Sequence, residues 1–182
     1  MKKTLLLAGV ACLMSFNAHA QTYDVKPYVG LDYAYDRADF KKDAKDLKKG
    51  FSSGIINAGV RMEDVGLEGF FQVSGENKNH RTDNTVKTKF NAYGLDMYGY
   101  LPLGCEKKFE LLGSLGAGIY DIHMKDSHDK HNTTRVGYRA GIGAQYNFNE
   151  NIAARIMGRY NYIGSGRLHS MNEVTAGLRY SF

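Results

Sequence analysis

The first residues to examine are those whose chemical types could make or break a bond. His169, Ser170 and Glu173 bring together a base, a hydroxyl and an acid, which are the groups that nucleophilic catalysis requires. Neighbouring residues of a β-strand point to opposite faces, so His169 and Ser170 could not pair if this segment is a strand. We therefore predict no catalytic residue and no enzyme activity.

A second cluster combines residue types that bind metals. The segment HMKDSHDKH contains His123, Asp126, His128, Asp129 and His131, and imidazole and carboxylate groups are common metal ligands. The neighbouring lysines oppose a bound cation, and the sequence shows no scaffold that would fix the ligands. We predict no metal site and no cofactor.

Arginines and carboxylates recur at every second position of segments that are otherwise apolar. In TRVGYRAGIGAQYNF, residues 134–148, Val136, Tyr138 and Ile142 fall on one face, and Arg135 and Arg139 fall on the other. A period of two is the mark of β-strands whose two faces differ. We expect the polar face to hold a network of ion pairs formed by Glu68, Asp96, Arg135, Arg139, Arg155, Arg159, Glu173 and Arg179.

The same alternation runs through the chain after residue 20, and helix signals are nearly absent. It predicts eight strands, at 25–35, 51–62, 65–75, 86–101, 109–122, 134–148, 152–163 and 171–182. Short turns join some of them, at Glu63-Asp64, Pro102–Lys108 and Asn149-Glu150, and longer polar connections join the others, at 37–50, 76–85, 123–133 and 164–170. Because long and short connections alternate, we predict an all-β, antiparallel up-and-down barrel with its long loops at one end.

The orientation of the two faces decides between a soluble barrel and a transmembrane one. A lipocalin-like soluble barrel would hide its apolar face, yet the polar face here is rich in glycine and arginine and does not resemble a solvated surface. The predicted strands exceed the roughly 9–11 residues that a tilted membrane strand needs. Tyrosines near strand ends are typical of aromatic girdles; they are Tyr33, Tyr35, Tyr98, Tyr100, Tyr160, Tyr162 and Tyr180. The sequence therefore predicts an eight-stranded transmembrane β-barrel.

The interior of an eight-stranded barrel is just wide enough to be filled by side chains. Buried charges must pair and hydrogen-bond, and the planar guanidinium of arginine suits bidentate pairing with carboxylates. We expect a salt-bridged polar plug in which glycines make room for arginines. The alternative is a narrow path for ions or small solutes, lined by the same arginines.

Residues 1–20, MKKTLLLAGVACLMSFNAHA, have the features of a cleaved secretory signal. Lys2 and Lys3 precede an apolar stretch, and Ala18-His19-Ala20 is a small-residue cleavage site. We expect one mature domain, residues 21–182, whose export argues against a nucleic-acid partner. Cys105 would be its only cysteine, so no internal disulfide would hold it together. The absence of a later run of 18 apolar residues argues against a helical membrane protein.

Two segments carry a family resemblance. They are the final TAGLRYSF, and the stretch from Tyr93 to Leu103 that precedes LLGSLGAGIY. Over residues 21–182 the chain resembles the small outer-membrane β-barrel family, the OmpA/OmpX-like and opacity-type proteins. The resemblance implies a Gram-negative outer-membrane location, and partners in biogenesis that include periplasmic chaperones and the barrel-assembly machinery. In that family the machinery reads a pattern at the chain end that is matched here by Thr175, Gly177, Tyr180 and Phe182.

Positive charge is concentrated in DFKKDAKDLKKG, residues 39–50. Such a segment favours electrostatic contact with lipopolysaccharide phosphates or with anionic host glycans. The alternative is a solvated surface loop of mixed charge. The candidate contacts are Lys41, Lys42, Lys45, Lys48 and Lys49.

The expected function is a structural and surface-interaction role in the outer membrane, through loops that support the envelope or adhere to a host. We expect a monomer. The alternative function is a narrow channel. The sequence does not name a ligand or a solute.

Overall fold

The computed structural model describes residues 25–40, 50–75, 77–81, 84–104, 108–125, 130–164 and 168–182. The regular elements within these ranges are β-strands: Val25–Phe40 (β1), Gly50–Met62 (β2), Val65–Ser74 (β3), Asn77–Arg81 (β4), Asn84–Leu103 (β5), Phe109–Lys125 (β6), Lys130–Asn147 (β7), Ile152–Tyr162 (β8) and Leu168–Ser181 (β9). No helix in the same ranges is long and apolar enough to cross a membrane.

Antiparallel pairing closes the sheet into a barrel. Strands that follow one another along the chain pair with each other, except that β3 pairs with β5 and not with the short β4. The pairing of β1 with β9 completes the ring. The short β4 continues β3 along the same edge of β5 after one extra residue, because Val73 lies opposite Asn91 whereas Asn77 lies opposite Thr88. The predicted eight-stranded antiparallel up-and-down barrel is confirmed.

Short turns lie at one end of the barrel and the longer connections at the other, as predicted. At the long-connection end the strands extend past their expected limits. β6 ends at Lys125 and β7 begins at Lys130, so most of the predicted loop 123–133 is a hairpin, and β4 lies inside the predicted loop 76–85. Apolar alternation could not reveal these extensions, because backbone hydrogen bonds between strands continue whatever the side chains are.

The outer face carries the large apolar side chains. Ile142 is 77% exposed and Leu115 is 63% exposed, whereas Arg155 and Asp96 on the inner face are each 1% exposed. A soluble protein shows the opposite distribution, and an apolar exterior around a polar interior is the arrangement of a lipid-facing barrel. The predicted orientation of the two faces is confirmed.

Aromatic rings occur on the outer face toward both rims. The ring pairs Tyr146–Phe148 and Tyr180–Phe182 pack edge to face at the short-turn end, with centroids 5.2 and 5.3 Å apart. The outward rings nearer the loop end are Tyr33, Tyr35, Tyr160 and Tyr162. These positions agree with the predicted girdles.

Tyr98 and Tyr100 correct that prediction. They are 1% and 6% exposed and point into the barrel. Residues 96, 98 and 100 share one face of β5 because side chains alternate along a strand. Since Asp96 faces the interior, both tyrosines must do so as well.

Candidate functional site

Glu68 is the centre of a polar network that fills the middle of the barrel. Its carboxylate accepts hydrogen bonds from Arg155 Nη2 at 2.9 Å, from Tyr28 Oη at 2.9 Å and from Tyr98 Oη at 3.1 Å. The Arg155 guanidinium also lies over the Tyr98 ring, 4.6 Å from its centroid. These residues belong to β1, β3, β5 and β8, so one carboxylate connects strands on several sides of the barrel.

Asp32 and Arg179 brace the pair of strands that closes the barrel. Arg179 on β9 donates two parallel hydrogen bonds of 2.7 Å to the two carboxylate oxygens of Asp32 on β1. Asn57 donates a further bond of 2.9 Å to Asp32, and Arg155 Nη2 lies 3.6 Å from the same carboxylate. The bidentate geometry is the strong form of an arginine–carboxylate pair.

Glu173 forms a second centre, nearer the loop end. Arg159 Nη1 donates to it at 2.8 Å, and Arg139 Nη2 lies 3.3 Å away. Arg139 also lies 3.3 Å from Asp96 on β5, and Arg159 Nη2 donates a bond of 2.7 Å to the Tyr98 hydroxyl. The Tyr98 hydroxyl, which donates to Glu68, therefore links the two centres.

A group of neutral donors surrounds Asp36 beside Glu173. Ser53 Oγ donates to Asp36 at 2.5 Å, and Gln72 Nε2 lies 3.2 Å from Asp36 and 3.2 Å from Glu173. Within the described residues no ion pair joins Asp36 to an arginine. Asp36 is completely buried, so its carboxylate oxygens depend on these hydrogen bonds in place of hydration by bulk water.

The short-turn mouth of the barrel holds a separate ion pair. Arg61 on β2 donates bonds of 2.9 and 2.7 Å to the two carboxylate oxygens of Glu110 on β6, and its guanidinium lies 4.1 Å from the centroid of the Tyr100 ring. Gln145 donates to Glu110 at 3.2 Å. A cavity of about 740 Å³ opens at this end and is lined by both members of the pair.

Apolar side chains fill the interior on the loop side of the charges. Phe51 and Phe90 pack edge to face with centroids 5.8 Å apart, and the Arg139 guanidinium lies 4.0 Å from the centroid of the Phe70 ring. We call the apolar layer the buried group Phe51, Phe70, Phe90, Ile122, Ile163 and Met171. The alternation in the sequence predicts a polar plug alone, and this layer was not predicted.

Glycines lie directly opposite two of the buried aspartates. Gly177 on β9 pairs with Asp32 on β1, and Gly116 on β6 pairs with Asp96 on β5. A Cβ atom would lie 1.8 Å from an Asp32 carboxylate oxygen at Gly177, and 1.9 Å from an Asp96 carboxylate oxygen at Gly116. The carboxylates therefore occupy the space that a side chain at either position would need.

The structure brings most of the predicted interior residues together. The buried members of the network are Glu68, Asp96, Arg139, Arg155, Arg159, Glu173 and Arg179. Arg135 is the exception and corrects the prediction: its side chain is exposed, and no ion pair joins it to another described residue. It has the inward parity of Arg139 and lies two steps of that alternation further toward the loop end, opposite the buried Tyr120, yet its own side chain is exposed.

Several interior residues were missed. Asp36 shares a face with Asp32 on β1, so extending the alternation by four residues would have found it. The ion pair of Arg61 with Glu110 could not be predicted from local sequence patterns, because the two residues are 49 positions apart in sequence. A contact of this kind depends on which strands face each other across the barrel, and one sequence does not specify that.

The structure bears on two further clusters from the sequence analysis, the His169, Ser170 and Glu173 set and the possible metal ligands. Ser170 is buried, and Glu173 forms ion pairs with Arg139 and Arg159. Glu173 is therefore not available to orient a histidine base. No group of three or more His, Cys, Asp or Glu side chains among the described residues could hold a metal ion. The candidate loop contacts lie outside the described residues, as do residues 1–20 and Asp126, His128 and Asp129; these contacts are Lys41, Lys42, Lys45, Lys48 and Lys49.

The proposed assembly residues lie along β9 and its end. Thr175 is buried and accepts a bond of 3.3 Å from Arg159 Nη1, and Gly177 faces Asp32. Tyr180 and Phe182 point outward and pack against each other, and the Phe182 backbone N–H donates a bond of 3.0 Å to the Pro27 carbonyl. Thr175 and Gly177 thus take part in packing inside the barrel, whereas Tyr180 and Phe182 are exposed on its outer surface.

Comparison with known families and structures gives one family. The family described as outer membrane protein beta-barrel domain matches residues 5–182. No protein with a curated description matches the sequence significantly.

Three solved structures illustrate the likeness of fold. Neisserial surface protein A is 19% identical, with 86% of this chain and 97% of that chain covered and a TM-score of 0.71. Ail, the attachment invasion locus protein of Yersinia pestis, is 18% identical, with coverages of 86% and 98% and a TM-score of 0.63. The N-terminal β-barrel domain of Pseudomonas aeruginosa OprF is 17% identical, with coverages of 85% and 97% and a TM-score of 0.57.

Proposed function

This chain belongs to the outer membrane protein beta-barrel domain family, and from that premise we propose that it has a structural and surface-interaction role rather than a transport or catalytic one. Its barrel would sit in the outer membrane of a Gram-negative cell and hold extracellular loops in place. Those loops would support the integrity of the envelope or adhere to a host.

The observation that carries this proposal is the filled interior. Ion pairs and buried rings occupy the lumen from Arg61 and Glu110 at the short-turn mouth to Phe51 and Phe90 near the loop end. A channel for small solutes needs a continuous aqueous path, and barrels with open channels have many more strands. The narrow-channel alternative is therefore the weaker one, and single-channel recording in a planar lipid bilayer tests it: we expect no discrete openings.

The loop end supplies the contact surface in this proposal. Ail has also been solved in complex with the heparin analogue sucrose octasulfate, with 18% identity to this chain and a TM-score of 0.61. The lysines of residues 39–50 give this chain a concentration of positive charge in one of its long connections. We infer that the partner is an anionic glycan or the phosphates of lipopolysaccharide, held by charge.

Replacing the five loop lysines by glutamine is expected to weaken binding of the folded protein to immobilised heparin. The lysines are Lys41, Lys42, Lys45, Lys48 and Lys49. We expect a loss of affinity of about tenfold or more, equivalent to about 1.4 kcal/mol, and a weaker dependence of the remaining affinity on salt. The control is Lys26→Gln with Lys108→Gln at the opposite mouth. Equal affinity of the loop variant and the parent would contradict the proposal.

Export and assembly complete the proposed role. Residues 1–20 would be removed on export, and periplasmic chaperones and the barrel-assembly machinery would bring the chain to the membrane as a monomer. The proposed role uses no cofactor.

The aromatic end of β9 gives the assembly step a direct test. Phe182 is 70% exposed, so we expect Phe182→Ala to reduce the amount of protein that reaches the outer membrane in cells several-fold. Its free energy of unfolding after refolding in detergent should change by less than about 1 kcal/mol, as is usual for exposed positions. The outward Phe148→Ala is the matched control. Wild-type membrane levels for Phe182→Ala would show that this ring is not part of the signal.

A further inference from the structure

The lumen has two parts along the barrel axis, one lined by charged and polar side chains and one filled by apolar side chains. Charged and hydrogen-bonding groups extend from the short-turn mouth to Glu173, and the apolar layer follows on the loop side. On β9 the change occurs between Glu173 and Met171, and on β5 it occurs between Asp96 and Phe90. Water and ions interact in very different ways with these two parts.

The charged part has unused hydrogen-bonding capacity. Both carboxylate oxygens of Asp96 lack a hydrogen-bond partner among the described residues, as do Arg139 Nη1, Arg155 Nη1 and Asn161 Nδ2. Buried polar groups of this kind are normally satisfied by ordered water. The cavity at the short-turn mouth is lined by Arg179, whose guanidinium is part of the same network, so the network borders the open mouth on that side.

The side chains of the apolar layer have no strong hydrogen-bonding group that could hold water. Phe51, Phe90 and Ile163 are 5%, 5% and 4% exposed, and Met171 is 1% exposed. The edge-to-face packing of Phe51 against Phe90 places rings from β2 and β5, the two strands that flank β3, in contact inside the lumen. An apolar constriction of this kind blocks ions by excluding water, without any charge of its own.

We propose that the apolar layer is the seal of the lumen, and that the ion-pair network beneath it is a hydrated dead end open to the short-turn mouth. The inference rests on the proposed non-conducting role and specifies which residues produce it. It reverses the expectation from the sequence, in which the salt bridges themselves were the plug. The arginines then serve to hold the strands together, and the phenylalanines serve to stop water and ions.

The decisive experiment compares single-channel currents of three forms of the full chain refolded into the same planar bilayers. The parent is expected to be silent. Phe51→Ala with Phe90→Ala opens the layer and is expected to give discrete openings. Asp96→Asn with Arg139→Gln removes a pair of charges below an intact layer and is expected to stay silent.

Each outcome separates the inference from the proposed function. Openings in the parent would contradict the non-conducting role itself. A silent parent with openings in the charge variant, or with none in a folded alanine variant, would overturn the seal. If the alanine variant does not fold, Ile122→Thr with Ile163→Thr keeps branched side chains while adding hydroxyls to the layer. That variant is expected to conduct above the parent, and silence from it would count against the seal in the same way.

Discussion

Replacing Glu68 by glutamine is expected to lower the free energy of unfolding by about 3–5 kcal/mol, the usual cost of removing one member of a buried ion pair. Glu68 is 1% exposed and accepts hydrogen bonds from Arg155, Tyr28 and Tyr98. Glutamine keeps the shape but presents an N–H₂ group where three donors converge. Among the described residues, the carboxylate that then remains near Arg155 is the more distant Asp32, at 3.6 Å.

The measurement is urea unfolding of the refolded barrel in lipid vesicles, followed by tyrosine fluorescence. Glu63→Gln, in the exposed turn between β2 and β3, is the control and should change stability by less than about 0.5 kcal/mol. Adding Arg155→Met to Glu68→Gln removes both charges and should recover part of the loss, because the orphaned charge is the main cost. A single variant as stable as the parent would mean that Glu68 is not the centre of the network.

Replacing Gly177 by alanine is expected to destabilise the closed barrel. The added Cβ would lie 1.8 Å from an Asp32 carboxylate oxygen and 2.3 Å from the Leu31 backbone carbonyl oxygen. The carboxylate could move, but only by leaving Arg179, and the backbone carbonyl belongs to the β1–β9 ladder itself. We expect a loss of about 3 kcal/mol, at the upper end of what overpacking costs.

Gly99→Ala provides the matched control. Gly99 also lies in a barrel strand, but it faces outward, and a Cβ there would meet no atom within 4 Å. It should be neutral or slightly stabilising, since alanine reduces the conformational freedom of the unfolded chain. Both variants should be refolded in detergent without any cellular machinery. A Gly177→Ala protein that refolds with parental stability but fails to assemble in cells would show that this glycine is read as a signal instead of being needed for packing.

The fold could be predicted from the sequence because alternation is a local property. The outward positions of β7, β8 and β9 needed only the period of two, and the short turns at Glu63-Asp64 and Asn149-Glu150 needed only the breaks between strands. The same rule, applied consistently to β5, would have placed Tyr98 and Tyr100 inside. The error there came from weighting the residue type, a tyrosine near a strand end, above the parity that Asp96 had already fixed.

The partners within the interior could not be predicted in this way. Arg155 meets Glu68 across 87 positions of sequence, and Arg179 meets Asp32 across 147. Such contacts depend on the stagger between strands and on the tilt with which the sheet closes. A list of inward residues gives the members of the network but not its pairs. It also does not show where along the axis the lumen becomes apolar, or that the Arg135 side chain is exposed.

The bond between Arg179 and Asp32 also bears on how the protein can fold. Its members come from the first and the last described strand, so the pair forms across the seam at which the sheet closes. Until then, an open sheet would present unpaired arginines and unpaired strand edges to lipid, which is prohibitively costly. Partly inserted intermediates should therefore be too unstable to accumulate, and entry into the bilayer and closure of the barrel should occur as a single cooperative event. Contacts of such long range make that event slow, which gives a reason for a cell to assist it.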